Sequence, residues 1–281
     1  MKLATYRTDG QVRHGRIVDD THVTDLGPGD LSPLLERPET DPAAPRHPLE
    51  EVTLLAPLLR PGKILAVAAN YQDHVTETGG DRIDKSRISP RLFLKPPTAI
   101  SGPGEDIELP SVSGQIDWEA ELVVVLGRGG KDIPVESALG HVAGYTVGND
   151  VSARSMDYGY ERDTADPAVG FFDWLNGKWL DGFAALGPWL LTADEVPDPQ
   201  ALEISLELNG EVMQHGTTGD MIFSVAEQIA FASRLMTLEP GDVIYTGTPA
   251  GVGAASNRFL TSGDEMTARL TGLGGLVNRV R

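Results

Sequence analysis

Asp117-Trp118-Glu119-Ala120-Glu121 runs straight into Leu122-Val123-Val124-Val125-Leu126, and the reading of the whole chain turns on this stretch. The apolar half is short, β-branched and closed by Gly127, which predicts a buried strand. Residues two apart on a strand share a face. Asp117, Glu119 and Glu121 are therefore expected to point the same way. Like charges on one face repel, and burial penalises each carboxylate further. Solvent, a basic partner or a cation has to resolve that conflict, and a wet strand end satisfies the spacing as well as a bound ion does. Asp150 closes a second apolar stretch, Val142 to Asn149. Together Glu119, Glu121 and Asp150 would form an all-oxygen site, which suits Mg2+, Mn2+ or Ca2+ rather than zinc.

Bulk properties narrow the classes. A chain of 281 residues suits one large domain plus a small one, and 40% apolar residues can build an ordinary core. Glycine (32) and proline (20) are frequent, which predicts many turns and short elements. Acidic residues outnumber basic ones by 41 to 23, a formal charge of −18. Such a surface repels phosphate backbones and anionic membranes, so neither nucleic acid nor membrane is expected as a partner. With no cysteine there is no disulfide, thiolate metal site or thiol nucleophile. No apolar run is long enough to span a bilayer, and Met1-Lys2-Leu3-Ala4-Thr5-Tyr6-Arg7 lacks a signal-peptide core. A soluble cytoplasmic protein is expected.

Upstream of the acidic strand, residues 1–26 read as a hairpin or meander turning at Asp9-Gly10, and Val52–Pro57 as a strand. A short helix is possible near Leu31–Leu35. The turn Arg60-Pro61-Gly62-Lys63 suggests a boundary, giving a small β domain over 1–60 and a larger one over 61–281. Ile64–Ala68 reads as a buried strand. Asn70 is a candidate cap for a short following helix, which would put His74 and Glu77 on one face at i and i+3. A carboxylate beside an imidazole fixes its tautomer and raises its basicity, as a general base requires, although a surface ion pair has the same spacing. Residues 78–90 are polar and aperiodic, a candidate lid. Lys95, ending the strand Leu92–Lys95, either points into a site or sits on the surface, the commoner case.

Downstream, residues 155–177 read as irregular and aromatic, able to wall a pocket or cover an interface. Lys178 lies among aromatic residues, either as a functional ammonium or as a cation packed on Trp179. Leu202–Leu208, Asn209-Gly210 and Glu211–Gln214 form a hairpin with a structural role. Ser224-Val225-Ala226-Glu227 is a capping box opening a helix to about Met236. Gly247-Thr248-Pro249-Ala250-Gly251-Val252-Gly253 lacks a phosphate-loop ending. Its N–H groups and the Thr248 hydroxyl could still meet a ligand carboxylate, or the segment is a plain turn. Residues 264–281 read as two strands.

Several stretches recur together in order: Asn70-Tyr71-x-x-His74-x-x-Glu77, Phe93-x-Lys95-Pro96, Trp118-Glu119-Ala120-Glu121-Leu122, Gly144-Tyr145-Thr146-x-x-Asn149-Asp150-Val151-Ser152-Ala153-Arg154, Gly187-Pro188-Trp189-Leu190, Pro240-Gly241-Asp242 and Gly247-Thr248-Pro249-Ala250-Gly251-Val252-Gly253. From about Ile64 to Val280 the chain resembles the fumarylacetoacetate hydrolase family. The resemblance implies an α+β, β-rich fold: a mixed β-roll, barrel-like catalytic domain with a small N-terminal β domain, as a homodimer. It implies Glu119, Glu121 and Asp150 as ligands of Mg2+ or Mn2+, with Ca2+ a possible substitute. It implies His74 and Glu77 as a water-activating dyad on a mobile lid, and Lys178 as an active-site lysine. Arg154, Thr248, Tyr71 and Asp157 would meet substrate. Asp157 stands where the family often has glutamine, and the span from Arg154 to Lys178 is long.

The implied reaction is hydrolysis of a carbon–carbon bond in a 2,4-dioxo acid, an acylpyruvate such as fumarylpyruvate or a 2,4-dioxo-3-deoxy sugar acid. Pyruvate and a carboxylic acid result. Polar residues between Asp157 and Asp173 lean toward the sugar acid. Two alternatives stand beside it. One keeps the site for oxaloacetate decarboxylation or for tautomerisation and isomerisation of 2-oxo acids. The other is a non-catalytic binding module.

Overall fold

The computed structural model describes residues 1–36, 41 and 43–281. The chain opens as a meander: β1 (Lys2–Thr8), β2 (Gln11–Val18), β3 (His22–Pro28), then the short β4 (Arg46–Pro48) and β5 (Thr53–Leu55). Asp9 and Gly10 both take positive φ, 48° and 72°, the tight turn their sequence predicts. Between β3 and β4, Ser32–Leu34 makes a single 3-10 turn rather than a longer helix.

The central part runs β6 (Ile64–Ala68), α1 (Gln72–Glu77), β7 (Arg91–Lys95), β8 (Ile100–Ser101), β9 (Asp106–Ile107), β10 (Ile116–Asp117) and β11 (Ala120–Leu126). Then come α2 (Val135–Ala138), β12 (Val142–Asp150), β13 (Ser152–Ala153), α3 (Pro167–Asn176) and β14 (Ala184–Thr192). The last part holds β15 (Glu203–Leu208), β16 (Glu211–Thr217), α4 (Val225–Leu235), β17 (Val243–Tyr245), α5 (Gly253–Ser256), β18 (Glu265–Leu270) and β19 (Gly274–Val280). The Ser224/Glu227 capping box starts α4 as expected.

Two local expectations fail. Asn70 does not cap α1: Tyr71 occupies the cap position without a side-chain bond, and Asn70 instead ties Phe223 and Thr246 together. Residues 155–177 are not irregular throughout, because Asp166 caps α3 by accepting from the Ala168 N–H, with Pro167 at the first helical position.

The large sheet is ordered β4-β3-β2-β1-β14-β12-β11-β17-β6-β7, with β5 beside β1 and β8 beside β14. The N-terminal meander joins it through β1 and β14, Leu3 opposite Leu190. A five-stranded sheet, β16-β15-β18-β19-β9, packs against one face. Alternation on β11 shows the layering. Leu122, Val124 and Leu126 face the five-stranded sheet and α4, whereas Val123 and Val125 face a second core with Leu3, Leu58, Ile64 and Tyr245.

The large sheet is rolled. β7 stands four strands from β12, roughly 19 Å away in a flat sheet. Yet the Lys95 ammonium, on β7, hydrogen-bonds the Asp150 carboxylate at the end of β12. Among the described strands the roll does not close into a barrel, since the free edge of β7 takes no strand partner. Inside the roll the Tyr245 ring lies across β12 at Gly148 and donates its hydroxyl to the Ala185 carbonyl at 2.9 Å. A Cβ at position 148 would sit 2.6 Å from that ring and collide with Val123, so only glycine fits there. No helix among the described residues is long and apolar enough to cross a membrane.

Candidate active site

Antiparallel pairing of β11 with β12 puts Glu121 opposite Gly148, and two residues earlier the Asp150 N–H donates to the Glu119 carbonyl at 2.9 Å. By strand alternation Glu119, Glu121 and Asp150 leave the sheet on the face that carries Val123. All three are buried, and each offers an oxygen within 4.8 Å of the others. Asp117 does not join them, contrary to the expectation of one continuous acidic face. The strand breaks at Trp118-Glu119, and the Asp117 carboxylate turns to the N–H groups of Gly253 (2.6 Å) and Ala254 (3.0 Å).

Three cations meet these acids. Lys178 donates to Glu119 (2.9 Å) and Asp150 (2.8 Å), rather than packing on Trp179. Lys95 donates to Asp150. Arg154 clamps Asp117 (2.8 Å) and Glu119 (2.5 Å). Burial alone would raise the Glu119 carboxyl, but Lys178 and Arg154 outweigh it and hold the group well below the usual carboxylate range. Glu121 is the exception. It accepts from the Gly247 N–H at 2.6 Å, but no lysine or arginine bonds it among the described residues. Burial, with Asp150 and Glu119 beside it, pushes it well above the usual range. A buried carboxylate without a cation, within reach of two others, is the donor chemistry of a hard divalent ion. The residues fit Mg2+ or Mn2+.

The His74/Glu77 pair forms as the spacing predicts. On α1 the His74 Nδ1 lies 2.9 Å from Glu77 Oε1, and the other Glu77 oxygen accepts from the Gly251 N–H at 2.8 Å. A carboxylate can only accept here, so Nδ1 carries the proton and Nε2 is left as the basic nitrogen. The glycine-rich loop therefore gives three N–H groups to the protein's own carboxylates: Gly247 to Glu121, Gly251 to Glu77 and Gly253 to Asp117. The Thr248 hydroxyl is likewise engaged: it donates to the Ala120 carbonyl and accepts from Gln214, both at 2.8 Å.

Other sequence candidates fall differently. Tyr71 is buried in the core, and its hydroxyl has no partner among the described residues. Burial, with Glu121 nearby, raises its pKa. Asp157 is exposed and accepts from its neighbour Gly159, away from the carboxylate cluster. Two further buried polar residues hold the site together. Lys95 is fully buried, and its signal was alternation, since Lys95 shares a face of β7 with the buried Phe93. Gln214, in a hairpin read as purely structural, accepts from the Ala120 N–H and donates to Thr248 and Pro249. No local pattern marks it.

His74, Glu119, Arg154, Lys178 and Thr248 open onto one cavity of about 1280 Å3. Its remaining wall is largely apolar and aromatic, with Phe93, Trp174 and Leu175. The arrangement offers a hard-cation site, an oriented imidazole and an ammonium around one void.

Comparison with known proteins places the chain among relatives. The family described as "Fumarylacetoacetate (FAA) hydrolase C-terminal" matches residues 63–281, and "Rv2993c-like, N-terminal" matches residues 1–57. The chain is 44% identical to "Oxaloacetate tautomerase FAHD2A, mitochondrial" of Bos taurus over 238 residues, 84% of this chain and 72% of the relative. It resembles the structure of 2-hydroxyhepta-2,4-diene-1,7-dioate isomerase from Mycobacterium marinum (TM-score 0.80, 33% identity, covering 100% of this chain and 98% of the other). It also resembles maleylpyruvate hydrolase from Sphingobium sp. SYK-6 in complex with manganese(II) and pyruvate (TM-score 0.79, 29% identity, covering 100% and 98%).

Proposed function

The chain belongs to the fumarylacetoacetate hydrolase family, and from that premise we propose that it hydrolyses the C3–C4 bond of a 2,4-dioxo acid. The observation that carries this reading is the His74–Glu77 pair, locked by the Gly251 N–H and opening onto the cavity that Glu119 and Lys178 share. A hydrolase needs such a base for water. Glu119, Glu121 and Asp150 would hold Mg2+ or Mn2+, which when bound supplies Lewis-acid polarisation of the 2-oxo acid.

His74, through Nε2, takes a proton from water, and Glu77 stabilises the imidazolium that forms. The hydroxide adds to the C4 carbonyl. Lys178 has three N–H donors and spends two on Glu119 and Asp150, leaving the third for the new oxyanion. The C3–C4 bond then breaks, its electron pair passing to C3 as the enolate of pyruvate. His74 returns the proton to C3. Water and an acylpyruvate thus become pyruvate and a carboxylic acid. Arg154 fixes Glu119 and Asp117, and Thr248 fixes the Ala120 carbonyl beside the metal ligands.

Pyruvate release from acetylpyruvate, fumarylpyruvate, oxaloacetate and a 2,4-dioxo-3-deoxy sugar acid, each with Mg2+, Mn2+ or excess chelator, tests the reading. Chelator-sensitive cleavage of an acylpyruvate is expected, falling by about 100- to 10,000-fold in His74→Ala and Glu77→Ala. Undiminished cleavage in both variants would remove the proposed base. A second reading rests on the 44% identity to an oxaloacetate tautomerase: His74 would shuttle a proton at C3 of a 2-oxo acid without attacking water. Enol–keto interconversion of oxaloacetate, followed by ultraviolet absorbance with no pyruvate released and no acylpyruvate cleaved, would select it. On either reading we expect residues 1–60 and 61–281 to form two domains of one chain, and two copies of that chain to pair as a homodimer.

A further inference from the structure

The cavity has two chemically different ends. Its floor is charged, with Glu119, Arg154 and Lys178, and one side is aromatic. The aromatic side is a connected ladder. The Lys178 ammonium lies 5.4 Å from the centroid of the Phe93 ring. Phe93 meets Trp174 edge-on, with centroids 5.1 Å apart, and Trp174 lies 6.2 Å from Phe171. Trp174 and Phe171 both project from α3, the helix that the Asp166-Pro167 cap starts. Phe171 is 57% exposed, and it lines the same cavity. The polar residues before α3 are not part of this wall. Asp157, Glu161, Asp163 and Asp166 are exposed and line no part of the cavity.

A 2-oxo acid head needs only the charged floor. Pockets for small ligands usually measure about 300–1000 Å3. At about 1280 Å3 this one has room for a substantial group beyond the head. A contiguous run of partly exposed aromatic side chains along a cavity marks a ligand-binding surface. Continuity with the charged floor identifies the occupant as the rest of the substrate.

Resting on the acylpyruvate reading above, we infer that Phe93, Trp174 and Phe171 select an apolar acyl group, aromatic or medium-chain aliphatic, over a charged or hydroxylated one. Phe171 and Trp174 are then specificity determinants supplied by α3. The opposite preference has its handles in the exposed Arg91 on the cavity wall and in Lys63, already ion-paired to Glu239 and Asp242; Arg91 would favour a distal carboxylate.

The test compares kcat/KM for benzoylpyruvate, hexanoylpyruvate, acetylpyruvate and fumarylpyruvate in the wild type, Phe171→Ala and Trp174→Ala. Phe171 is exposed, so its variant should fold. We expect benzoylpyruvate or hexanoylpyruvate to exceed acetylpyruvate by about tenfold or more, the scale of a few apolar contacts. Both variants should collapse that ratio toward one. Flat values, or a preference for fumarylpyruvate, would overturn the inference and leave the hydrolase reading standing. If no acylpyruvate is cleaved, the hydrolase reading falls, and calorimetric titration with phenylpyruvate and pyruvate in Mg2+ decides the inference. Tighter binding of phenylpyruvate, lost in Phe171→Ala, supports it. Equal binding of the two overturns it.

Discussion

Glu119 and Asp150 face one another across two strands, and one ammonium, Lys178, bonds both side chains, at 2.9 and 2.8 Å. The backbone fixes the same pair, through the Asp150 N–H on the Glu119 carbonyl. The acids are thus brought together by sheet register and kept together by a lysine from a distant part of the chain.

Replacing Lys178 by methionine preserves bulk and removes the bridging charge. Breaking a buried ion pair from one side typically costs about 3–5 kcal/mol. In chelator, K178M should melt well below the wild type, and added Mn2+ should recover part of the loss. Its turnover should drop by about 100- to 1000-fold, the usual effect of losing one oxyanion donor. A melting temperature equal to the wild type in chelator would contradict the bridging role.

Glu121 is the acid without a cationic partner, so Glu121→Gln removes a buried charge while keeping the shape. The metal-free protein should be as stable as the wild type or more so. The wild type at a metal concentration 100 times Kd should gain about 2.7 kcal/mol, and E121Q should lose most of that gain. Thermal melts with and without Mg2+ or Mn2+ measure both. An undiminished metal shift in E121Q would exclude Glu121 as a ligand.

Acid sensitivity should be visible far from this site, at Asp25. Burial alone would raise its carboxyl, but the bonds and charge of Arg13, with the Gly27 N–H, outweigh it and hold the group below its ordinary value. A depressed carboxylate stabilises the fold above its unfolded pKa of about 3.9 and loses that contribution as pH falls through the folded value. Asp25→Asn should therefore cost about 1 kcal/mol at pH 7, a modest figure because Arg13 is partly exposed. The difference between wild type and D25N in urea midpoint should shrink toward zero as pH falls below about 4. A difference independent of pH would show that the ion pair is not its source.

Residues 78–90 are pinned to α4 by one contact pair, Lys85 to Glu227 at 3.0 and 3.2 Å. Exposed pairs contribute about 0–1 kcal/mol, so this latch is weak. Lys85→Ala should speed limited proteolysis within 78–90 by a few-fold, and Mg2+ with oxalate should slow it in both proteins. Equal cutting with and without oxalate would remove the idea of a closing lid.

Much of this was legible in sequence because it is local. Period-2 alternation and the step from Glu121 into Leu122–Leu126 identify β11, and the same logic assigns Asp150 to the end of β12. The spacing of His74 and Glu77 needs only one helical turn. Lys95 is different, because its bond to Asp150 exists only after the large sheet has rolled β7 back toward β12. Asp117 fails for a related reason. Alternation assumed an unbroken strand, and the N–H groups that drew Asp117 aside come from Gly253 and Ala254, far along the chain. Gln214 could not be singled out at all, since a buried amide bridging two segments leaves no spacing to read. Helix α3 was legible in its Asp166-Pro167 start, but its aromatic composition obscured it.

The Tyr245 ring lying across β12 has an evolutionary consequence. Residue 148 titrates nothing and donates no side-chain bond, so an inventory of chemistry would pass it by. Yet any methyl group there evicts the ring whose hydroxyl is tied to Ala185 and spreads β11 from β12 beside the carboxylates. Drift at this codon is closed, and the acidic site is guarded by a position whose contribution is empty space.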